Sequence, residues 1–347
     1  MKLLVTGGAG FIGSAFVHRR LAATNDDIVV LDKLTYAASR ANLDALENSP
    51  VTRERFRFVQ GDICDATVVG ELLNGADAVI NFAAESHVDR SILDSSAFLR
   101  TGVIGLHVLL DAAVALGRQD GKSIRLVQVS TDEVYGPVED ARSIETDALN
   151  PRSPYSAAKA AGDLLVGAYH ATYGLDAVLT RGANTYGPRQ HPEKLIPLFV
   201  TNAIDDQPLP MYGDGMQRRE WLFVDDHADA IAAVLDHGEA GGIYNVPGSH
   251  DCTNREVAQA ILDQLGKPWT LVRSVPDRRA HDRRYALEGG HLASLGWTPK
   301  VPFETGIRST ISWYVENESW WRALKDADWD AYYESQYAWR LSNSREI

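Results

Sequence analysis

The sequence is poor in cysteine, poor in basic residues relative to acidic ones, and free of long apolar runs. Only Cys64 and Cys252 occur in 347 residues, too few for a disulfide framework or a cysteine-rich metal cluster. The sequence has 34 lysines and arginines but 47 aspartates and glutamates, and the resulting net charge of −13 argues against a nucleic-acid partner. No run approaches the roughly 18 apolar residues of a membrane span. We therefore expect a cytoplasmic protein without metal, membrane or nucleic acid.

A glycine-rich turn follows the first apolar segment. Gly7, Gly10 and Gly13 stand between the apolar residues 3–5 and a helical pattern. Glycines at this spacing let backbone N–H groups approach a pyrophosphate and let the helix pack closely on the strand. Asp32 ends the second apolar segment about 20 residues later, where a carboxylate would bond the adenosine ribose and repel a 2′-phosphate. The sequence therefore predicts NAD rather than NADP as cofactor.

Apolar runs then alternate with helical patterns, which is typical of a doubly wound parallel sheet. Strands are predicted at residues 3–5, 28–31, 57–60, 78–82, 125–129, 177–180 and 242–246, and helices at 67–73, 95–116, 155–173 and 254–265. Prolines and glycines become frequent after Gly187 and break the alternation. We predict a Rossmann-type α/β fold: a cofactor domain at residues 1–186, to which later elements return, a smaller C-terminal α/β substrate-binding lobe at 187–330, and a tail at 331–347.

Two groups of polar residues predict chemistry at the end of this sheet. An apolar segment is directly followed by Thr131, Asp132 and Glu133. Residues at the carboxyl end of a buried strand lie at a cleft in folds of this kind. Tyr155 and Lys159 open the next helical pattern, and a spacing of four puts both on one face. An ammonium beside a phenol lowers the pKa of the phenol, so that it can take a proton from an alcohol. We therefore expect an acid and a base beside a redox group.

Five segments together carry a resemblance to a known family. They are residues 7–13, 83–91, 130–136, 155–159 and 186–197. In these segments the chain resembles the dTDP-glucose 4,6-dehydratases of the extended short-chain dehydrogenase/reductase superfamily, and the resemblance extends from Met1 to about Tyr314. The glycine turn and the tyrosine–lysine pair mark only the superfamily. The trio at 131–133 and the segment at 192–197 are the specific part.

The resemblance implies that the protein converts dTDP-glucose to dTDP-4-keto-6-deoxyglucose with bound NAD. The sugar is oxidised at C4, water is eliminated across C5 and C6, and the hydride returns to C6. Tyr155 would take the C4 hydroxyl proton, with Thr131 and Lys159 orienting the oxygen. Glu133 would remove the C5 proton, which the C4 ketone makes acidic. Asp132 would protonate the leaving C6 oxygen if burial or the neighbouring Glu133 raises its pKa.

The resemblance also implies binding residues for the cofactor and for the nucleotide-sugar substrate. For NAD they are Gly7, Gly10, Phe11, Ile12, Gly13, Asp32, Asp62, Ile63, Phe82, Ala83, Ala84, Ser86, Thr101, Tyr155, Lys159 and Thr185. For the substrate they are Ser86, Thr131, Asn184, Lys194, Leu195, Pro210, Tyr212, Arg219, Asn254, Asp277, His281 and Tyr285. Residues 277–281 resemble the loop that closes over the diphosphate, although a solvated run of charges is the alternative there.

The chain departs from the family pattern at a few positions. Gly102 and Thr185 stand where asparagine is common, and Arg279 with Ala280 replaces the usual pair before His281. None of these changes removes a proposed acid or base. They leave open which nucleotide is preferred among dTDP, UDP, GDP and CDP, and whether the product serves a surface polymer or a secondary metabolite.

Three other functions share part of this pattern. A sugar-nucleotide 4-epimerase needs NAD, Tyr155 and Lys159 but no acid or base at residues 132 and 133. A non-catalytic NAD-binding regulator needs the glycine turn alone. A decarboxylase acting on a nucleotide glucuronate would carry an arginine-rich pocket and no acid at Asp132. The trio favours the dehydratase.

The C-terminal region is rich in aromatic residues. Trp313, Trp320, Trp321, Trp329 and Trp339 lie there among several tyrosines. Such residues either dock a terminal helix onto the body or form a stacking surface for a base or sugar.

The resemblance finally implies a homodimer. In relatives, the helices that correspond to residues 95–116 and 155–173 pair across a dimer as a four-helix bundle. Val103, Leu106, Leu109, Leu110 and Ala113 supply apolar surface for such pairing, but they would serve equally as core within one chain.

Overall fold

The computed structural model describes residues 1–278 and 281–346. The strands are β1 (Lys2–Thr6), β2 (Asp27–Asp32), β3 (Phe56–Gln60), β4 (Ala78–Asn81), β5 (Arg125–Thr131), β6 (Ala177–Gly182), β7 (Asn184–Tyr186), β8 (Leu209–Tyr212), β9 (Arg218–Phe223), β10 (Ile243–Val246), β11 (His250–Thr253), β12 (Val272–Val275) and β13 (Arg345–Glu346). The α-helices are α1 (Phe11–Ala23), α2 (Asp44–Asn48), α3 (Ala66–Leu73), α4 (Val88–Leu93), α5 (Ser96–Leu99), α6 (Leu106–Asp120), α7 (Pro154–Tyr173), α8 (Leu195–Ile204), α9 (Val224–His237), α10 (Asn254–Leu265), α11 (Gly290–Ala293), α12 (Phe303–Glu316), α13 (Glu318–Leu324), α14 (Ala327–Tyr333) and α15 (Trp339–Ser342).

A seven-stranded parallel sheet forms the centre of the molecule, in the order β10-β6-β5-β4-β1-β2-β3. The order reverses beside β1, and in sheets of this kind ligands bind at the carboxyl edge of such a switch point. The predicted Rossmann-type α/β fold is confirmed. Parallel strands are covered on both faces, which explains why β1 and β5 are buried along nearly their whole length.

Successive residues of each strand serve two separate cores. In β1, Leu3 and Val5 pack on the face covered by α1 and α9, whereas Leu4 packs on the face covered by α3, α6 and α7. All three side chains are at most 2% exposed. The sheet is therefore held as a middle layer between two helical layers.

A third core belongs to the later part of the chain. It gathers residues from α8, α10 and α12 around two three-stranded sheets, β11-β9-β7 and β13-β12-β8. The predicted strands in the first half of the chain are all present, within a few residues. Helices α8, α9 and α12 were not predicted, and neither were the short strands of the later sheets, whose segments are brief and lie among prolines and glycines. The central sheet takes β10 from beyond residue 186, and the division of the chain into domains stays a prediction.

The aromatic C-terminal region docks onto the body of the protein. Trp321 is fully buried, and Trp329 and Tyr337 are almost as deeply buried in the third core. The terminal strand β13 pairs with β12. Of the two alternatives for these aromatics, the structure shows docking.

One long helix differs from expectation. Residues Ser96–Arg118 form a continuous helix that passes through a π-helical turn, and its length and composition are those of a membrane span. The expectation that no segment approaches such a span is therefore wrong by composition. Leu106, Leu109 and Leu110 are fully buried against the sheet, so they are core residues. Other apolar side chains of this helix point outward.

The turn after β1 explains why glycine is required at residue 7. Gly7 has φ +68°, and a Cβ atom there would lie 2.5 Å from the backbone nitrogen of Ala83. At Gly13 a Cβ would lie 2.3 Å from the carbonyl oxygen of Gly7. Because Gly7 and Gly13 lack side chains, the turn can pack against the segment that follows β4, and helix α1 can pack against the turn.

Replacing Gly7 by alanine tests this packing. Gly75 is the matched control, because it has φ +80° but nothing within 4 Å of its Cβ position. Gly75→Ala should lower the free energy of unfolding by ~1–2 kcal/mol, because alanine is strained in a left-handed backbone conformation. Gly7→Ala should lower it by a further ~1–3 kcal/mol, because its Cβ also clashes with Ala83. Denaturant unfolding measures both free energies. Equal losses would show that the close approach at Gly7 does not constrain the fold.

Candidate active site

An elongated cavity runs along the carboxyl edge of the central sheet. It has a volume of about 320 Å³ and extends from the glycine turn after β1 to Lys159 on α7. A smaller cavity of about 140 Å³ adjoins it and shares Glu133, Asn184 and Lys194 with it. The two cavities together connect the central sheet with the later lobe.

All residues predicted to bind the cofactor line the larger cavity. They are Gly7, Gly10, Phe11, Ile12, Gly13, Asp32, Asp62, Ile63, Phe82, Ala83, Ala84, Ser86, Thr101, Tyr155, Lys159 and Thr185. The structure brings them together from the ends of successive parallel strands and from the helices that follow. Their individual roles stay predictions.

The first turn of α1 faces this cavity without a cap. Gly10 is the N-cap residue and forms no side-chain cap hydrogen bond. The first N–H groups of a helix have no partner within the helix, and they attract an anion such as a phosphate. Gly10 has no side chain that would obstruct such a ligand.

Two carboxylates, Asp32 and Asp62, line the end of the larger cavity that holds the glycine turn. Asp32 accepts hydrogen bonds from the backbone nitrogens of Ala9 (2.9 Å) and Leu34 (2.8 Å), which fix its orientation. Burial raises the pKa of Asp32 and these bonds oppose the rise. Asp62 accepts from the nitrogen of Cys64 at 2.9 Å. Both carboxylates keep acceptor sites for hydroxyl or amino groups, so this end fits the predicted adenosine of NAD.

The trio at residues 131–133 lies where β5 ends. Thr131 is the last strand residue and the N-cap of a 3₁₀ turn, Asp132–Tyr135. Its hydroxyl accepts from the nitrogen of Glu133 at 3.3 Å and donates to Oδ1 of Asp132 at 3.1 Å. Oδ2 of Asp132 is buried and has no partner among the described residues. The cap thus orients both carboxyl groups beside the cavity.

The two carboxyl groups differ in their surroundings. Asp132 is 3% exposed, and burial together with the neighbouring charge of Glu133 raises its pKa to about 8. Burial also raises the pKa of Glu133, but the nearby cations Arg278 and Lys194 oppose this rise. Two adjacent buried carboxyls cannot both ionise easily. The proton therefore belongs on Asp132, which leaves Glu133 as the better base.

Tyr155 and Lys159 share one face of α7, which begins with a capping box at Ser153. Nζ of Lys159 donates to the carbonyl oxygen of Val129 at 2.7 Å. Burial lowers the pKa of Lys159 to about 8, while the nearby carboxylate of Asp163 opposes this change. The lysine head is thereby held at the end of β5.

The expected lowering of the Tyr155 pKa is not seen. Burial raises it, Glu133 raises it further, and the hydroxyl of Thr131 acts in the opposite direction. The prediction considered only the lysine and omitted the loss of solvent and the nearby carboxyl groups of Glu133, Asp132 and Asp163. In this structure Tyr155 is a protonated phenol.

Most residues predicted to bind the substrate also meet here. Ser86 and Thr131 line the larger cavity, Pro210, Tyr212, Arg219, Asn254 and His281 line the smaller one, and Asn184, Lys194 and Leu195 line both. Asp277 and Tyr285 lie behind this lining. Oδ1 of Asp277 is 2.6 Å from Nδ1 of His281, and the guanidinium of Arg219 lies 4.7 Å from the ring centre of Tyr285. Their assignment as direct contacts stays a prediction, and Arg279 and Ala280 lie outside the described residues.

The smaller cavity has charged walls: the cations Lys194, Arg219 and Arg278 line it together with the carboxylates Asp89, Glu133 and Glu193. Arg219 is buried and donates to backbone carbonyls, including that of Asp282 at 3.0 Å. Lys194 is the N-cap of α8, and its ammonium donates to the carbonyl oxygen of Ser86. Arg278 lies within the predicted diphosphate loop, 277–281, but was not itself predicted as a binding residue; it lines this cavity and has a buried Nε without a partner among the described residues. Its place in a run of charges did not distinguish it from a solvated residue.

His227 is a second residue that the motifs missed. It lines the larger cavity and its Nδ1 lies 2.8 Å from the hydroxyl of Thr185. Burial lowers its pKa to about 4, so the imidazole is neutral. A histidine within an amphipathic helical pattern carries no signal for such a position.

Comparison with known proteins places these features in a family context. The model of the GDP-mannose 4,6 dehydratase family matches residues 4–310. The dTDP-glucose 4,6-dehydratase of Streptomyces niveus is 48% identical over 337 residues, covering 94% of this chain and 97% of that protein.

Solved structures give the same relationship. The crystal structure of DesIV, the dTDP-glucose 4,6-dehydratase of Streptomyces venezuelae with NAD bound, has a TM-score of 0.89 and 52% identity, covering 94% of this chain and all of that one. The UDP-glucose 4-epimerase of Thermus thermophilus in complex with NAD has a TM-score of 0.81 but only 33% identity, over 91% of this chain and all of that one.

The raised pKa of Asp132 predicts a dependence of stability on pH. The folded protein keeps a proton that the unfolded chain releases above about pH 4, so this group's contribution to stability falls as pH rises from there through about 8. Asp132→Asn removes this loss of folding stability, because asparagine does not titrate. The melting temperature of the variant should therefore rise relative to the wild type between about pH 5 and pH 8.

Asp214→Asn provides a control of opposite sign. The guanidinium of Arg283 lowers the pKa of Asp214 to about 2, so this carboxylate stabilises the fold above about pH 4 and loses that effect in acid. Its variant should lose stability at neutral pH and approach the wild type toward pH 2. A pH-independent effect of Asp132→Asn would contradict the assigned protonation.

Proposed function

The chain belongs to the GDP-mannose 4,6 dehydratase family, and we propose that it is an NAD-dependent hydro-lyase that converts dTDP-glucose to dTDP-4-keto-6-deoxyglucose. One observation carries this proposal: the buried Asp132 and the adjacent Glu133 line the same cavity as Tyr155, and burial and the charge of Glu133 raise the pKa of Asp132 to about 8. The family relatives supply the substrate, and the carboxyl pair supplies the chemistry that redox alone does not need.

The tyrosine–lysine pair would act on the C4 hydroxyl group. Tyr155 takes its proton and Thr131 orients the oxygen, while the ammonium of Lys159 stabilises negative charge at this point. Tyr155 must first lose its own proton, because burial and Glu133 raise its pKa in this structure. The cavity residues and the uncapped N-terminus of α1 fit NAD, which when bound accepts a hydride and later returns it.

The carboxyl pair would carry out the elimination. A C4 ketone makes the C5 proton acidic, and Glu133 removes it. Hydroxide is a poor leaving group, and Asp132 supplies the proton that lets the C6 oxygen depart as water. A correctly positioned acid and base each accelerate such steps by about 10²–10⁴-fold.

The nucleotide part of the substrate would occupy the smaller cavity. Lys194, Arg219 and Arg278 provide positive charge for the diphosphate, and Pro210 and Tyr212 lie further along the wall for the base. Residues 1–186 would bind NAD and residues 187–330 the nucleotide sugar, followed by the tail at 331–347. The substrate would thus bridge the two lobes with its glucose at the trio.

The rival functions use less of this site. A 4-epimerase needs Tyr155 and Lys159 but has no step that requires a protonated Asp132. A regulator that only binds NAD needs none of residues 131–133. The epimerase structure is also the more distant one, at 33% against 52% identity for the dehydratase. A glucuronate decarboxylase would replace the acid at Asp132.

We further propose a cytoplasmic homodimer. Leu164 on α7 is 67% exposed, and Ile104 and Leu99 on the long helix are about half exposed. These side chains form an apolar face on the two helices for which the resemblance implies a four-helix bundle. Solvent would be excluded from this face if two copies of the chain met there.

Solvent isotope tests the proposed reaction. The protein is incubated with dTDP-glucose and NAD in deuterated water, and the product is examined by NMR. The mechanism predicts deuterium at C5 and a new methyl group at C6, while a C4 epimer without label would overturn it. Parallel reactions with UDP-, GDP- and CDP-glucose identify the preferred nucleotide.

Glu133→Gln separates the two halves of the reaction. The variant should still oxidise C4, because Tyr155, Thr131 and Lys159 are intact, but elimination should fall by about 10²-fold or more. Single-turnover assays with NMR detection follow the 4-keto hexose and the deoxy product. Formation of the deoxy sugar at a near-normal rate would show that Glu133 is not the base.

Leu164→Glu tests the proposed dimer. A charge on this apolar face should shift the protein to monomers at micromolar concentration, because its burial in an interface is unfavourable. Val315→Glu, at an apolar position of α12 that is 46% exposed, is the matched control and should stay dimeric. Sedimentation equilibrium measures the mass. A monomeric wild type, or a dimeric Leu164→Glu variant, would contradict this interface.

A further inference from the structure

The C-terminal aromatic segment, residues 318–342, covers the nucleotide end of the smaller cavity. It lies beyond the residues that the family model matches. Its π-helical turn, Glu334–Ala338, carries two buried residues, Gln336 and Tyr337. Tyr337 is itself part of the cavity wall, together with Tyr212 and Arg278. The segment is therefore in direct contact with the residues expected to bind the nucleotide.

Gln336 closes a small hydrogen-bonded triangle. Its Nε2 donates to the hydroxyl oxygen of Tyr212 at 2.8 Å and to Oδ2 of Asp89 at 3.0 Å. The hydroxyl of Tyr212 donates to the same carboxylate oxygen at 2.9 Å. Gln336 and Asp89 are 6% and 4% exposed, so water cannot readily replace a lost partner.

Asp89 links this triangle to the cations of the smaller cavity. Its other oxygen, Oδ1, accepts from Nη1 of Arg278 at 3.2 Å. Burial raises the pKa of Asp89, but His87, Arg278 and the Tyr212 hydroxyl outweigh burial, so the pKa is lowered and the group is an anion. The position of the Arg278 guanidinium in the cavity wall thus depends on the position of Asp89.

The ring of Tyr212 is held on two sides. Tyr337 stacks on it with ring centres 6.2 Å apart and an angle of 26°, and His281 meets it nearly edge-on at 5.8 Å and 83°. With its hydroxyl bonded and its ring contacted, Tyr212 has one orientation toward the cavity. That orientation is the one a nucleobase would meet.

We propose that Gln336 and Tyr337 are positioning residues that determine affinity for the nucleoside diphosphate portion of the substrate. They act by two routes. One is Tyr212, whose ring lines the cavity where the base would bind. The other is Asp89, which holds the guanidinium of Arg278 toward the diphosphate. This inference rests on the proposed function for the class of ligand, a nucleoside diphosphate sugar. It assigns to the aromatic tail a role in recognition in addition to docking.

Gln336→Met is the most direct test variant, because it keeps the length of the side chain and removes both donated bonds. Gln336→Leu also removes both donated bonds without adding a charge beside Asp89, and it is the second variant should the first fail to fold. Tyr333→Phe is the matched control: Tyr333 lies on the same segment, and its hydroxyl accepts from Nδ2 of Asn202 at 3.2 Å outside both cavities. Trp339→Ala, at a position 61% exposed, controls for tail substitutions in general.

Calorimetric titration first identifies which of dTDP, UDP, GDP and CDP the wild type binds most tightly, and the variants are then titrated with that nucleotide and with NAD. Gln336→Met should weaken nucleotide binding about tenfold and raise KM similarly, while NAD affinity and kcat change little; the melting temperature should fall, because buried acceptors lose their partner. The controls should match the wild type. The same nucleotide affinity in Gln336→Met and wild type, or an equal loss of nucleotide and NAD affinity, would overturn the proposal.

The outcomes also separate this proposal from the proposed function. A wild type that binds a nucleoside diphosphate but converts no glucose nucleotide would overturn the function and leave the tail proposal to be decided by Gln336→Met. A wild type that binds none of the four diphosphates would overturn both.

Discussion

The burial of one carboxyl group determines how this site is arranged. Asp132 lies at the end of a parallel strand, enclosed on both sides, and the loss of solvent raises its pKa to about 8. A carboxylic acid in such a place can donate a proton at neutral pH. Glu133, one residue further, faces Arg278 and Lys194 and keeps more of its basic character. The short 3₁₀ turn capped by Thr131 places these two environments within one peptide unit.

The surrounding structure supports this difference in environment. The central sheet supplies strand ends that converge on one edge, and α7 brings Tyr155 and Lys159 to the same point. Behind the lysine, the buried ion pair of Asp163 and Arg181, 2.8 Å between Nε and Oδ2, puts a carboxylate near the ammonium. The later lobe supplies the cations. Redox chemistry, elimination and nucleotide recognition thus depend on adjacent walls of two connected cavities.

Much of this arrangement could be predicted from the sequence, because the signals are local. Glycines 7, 10 and 13 with Asp32 mark a turn that backbone geometry restricts, and apolar runs mark buried parallel strands. Other features depend on contacts between distant segments. Arg278 meets Asp89, and Gln336 meets Tyr212, only through tertiary packing. The pKa of Tyr155 was predicted in the wrong direction because a motif does not show how deeply a phenol is buried or which carboxyls surround it.

The protonation state of Asp132 can be observed directly. Protein labelled with ¹³C at aspartate carboxyl groups would be titrated by NMR, with the Asp132→Asn variant used to assign the resonance. The burial of Asp132 predicts a carboxyl signal that is still protonated at pH 7 and titrates near the pKa of about 8. A signal that is already a carboxylate at about pH 5, near the ordinary aspartate value of about 3.9, would contradict it.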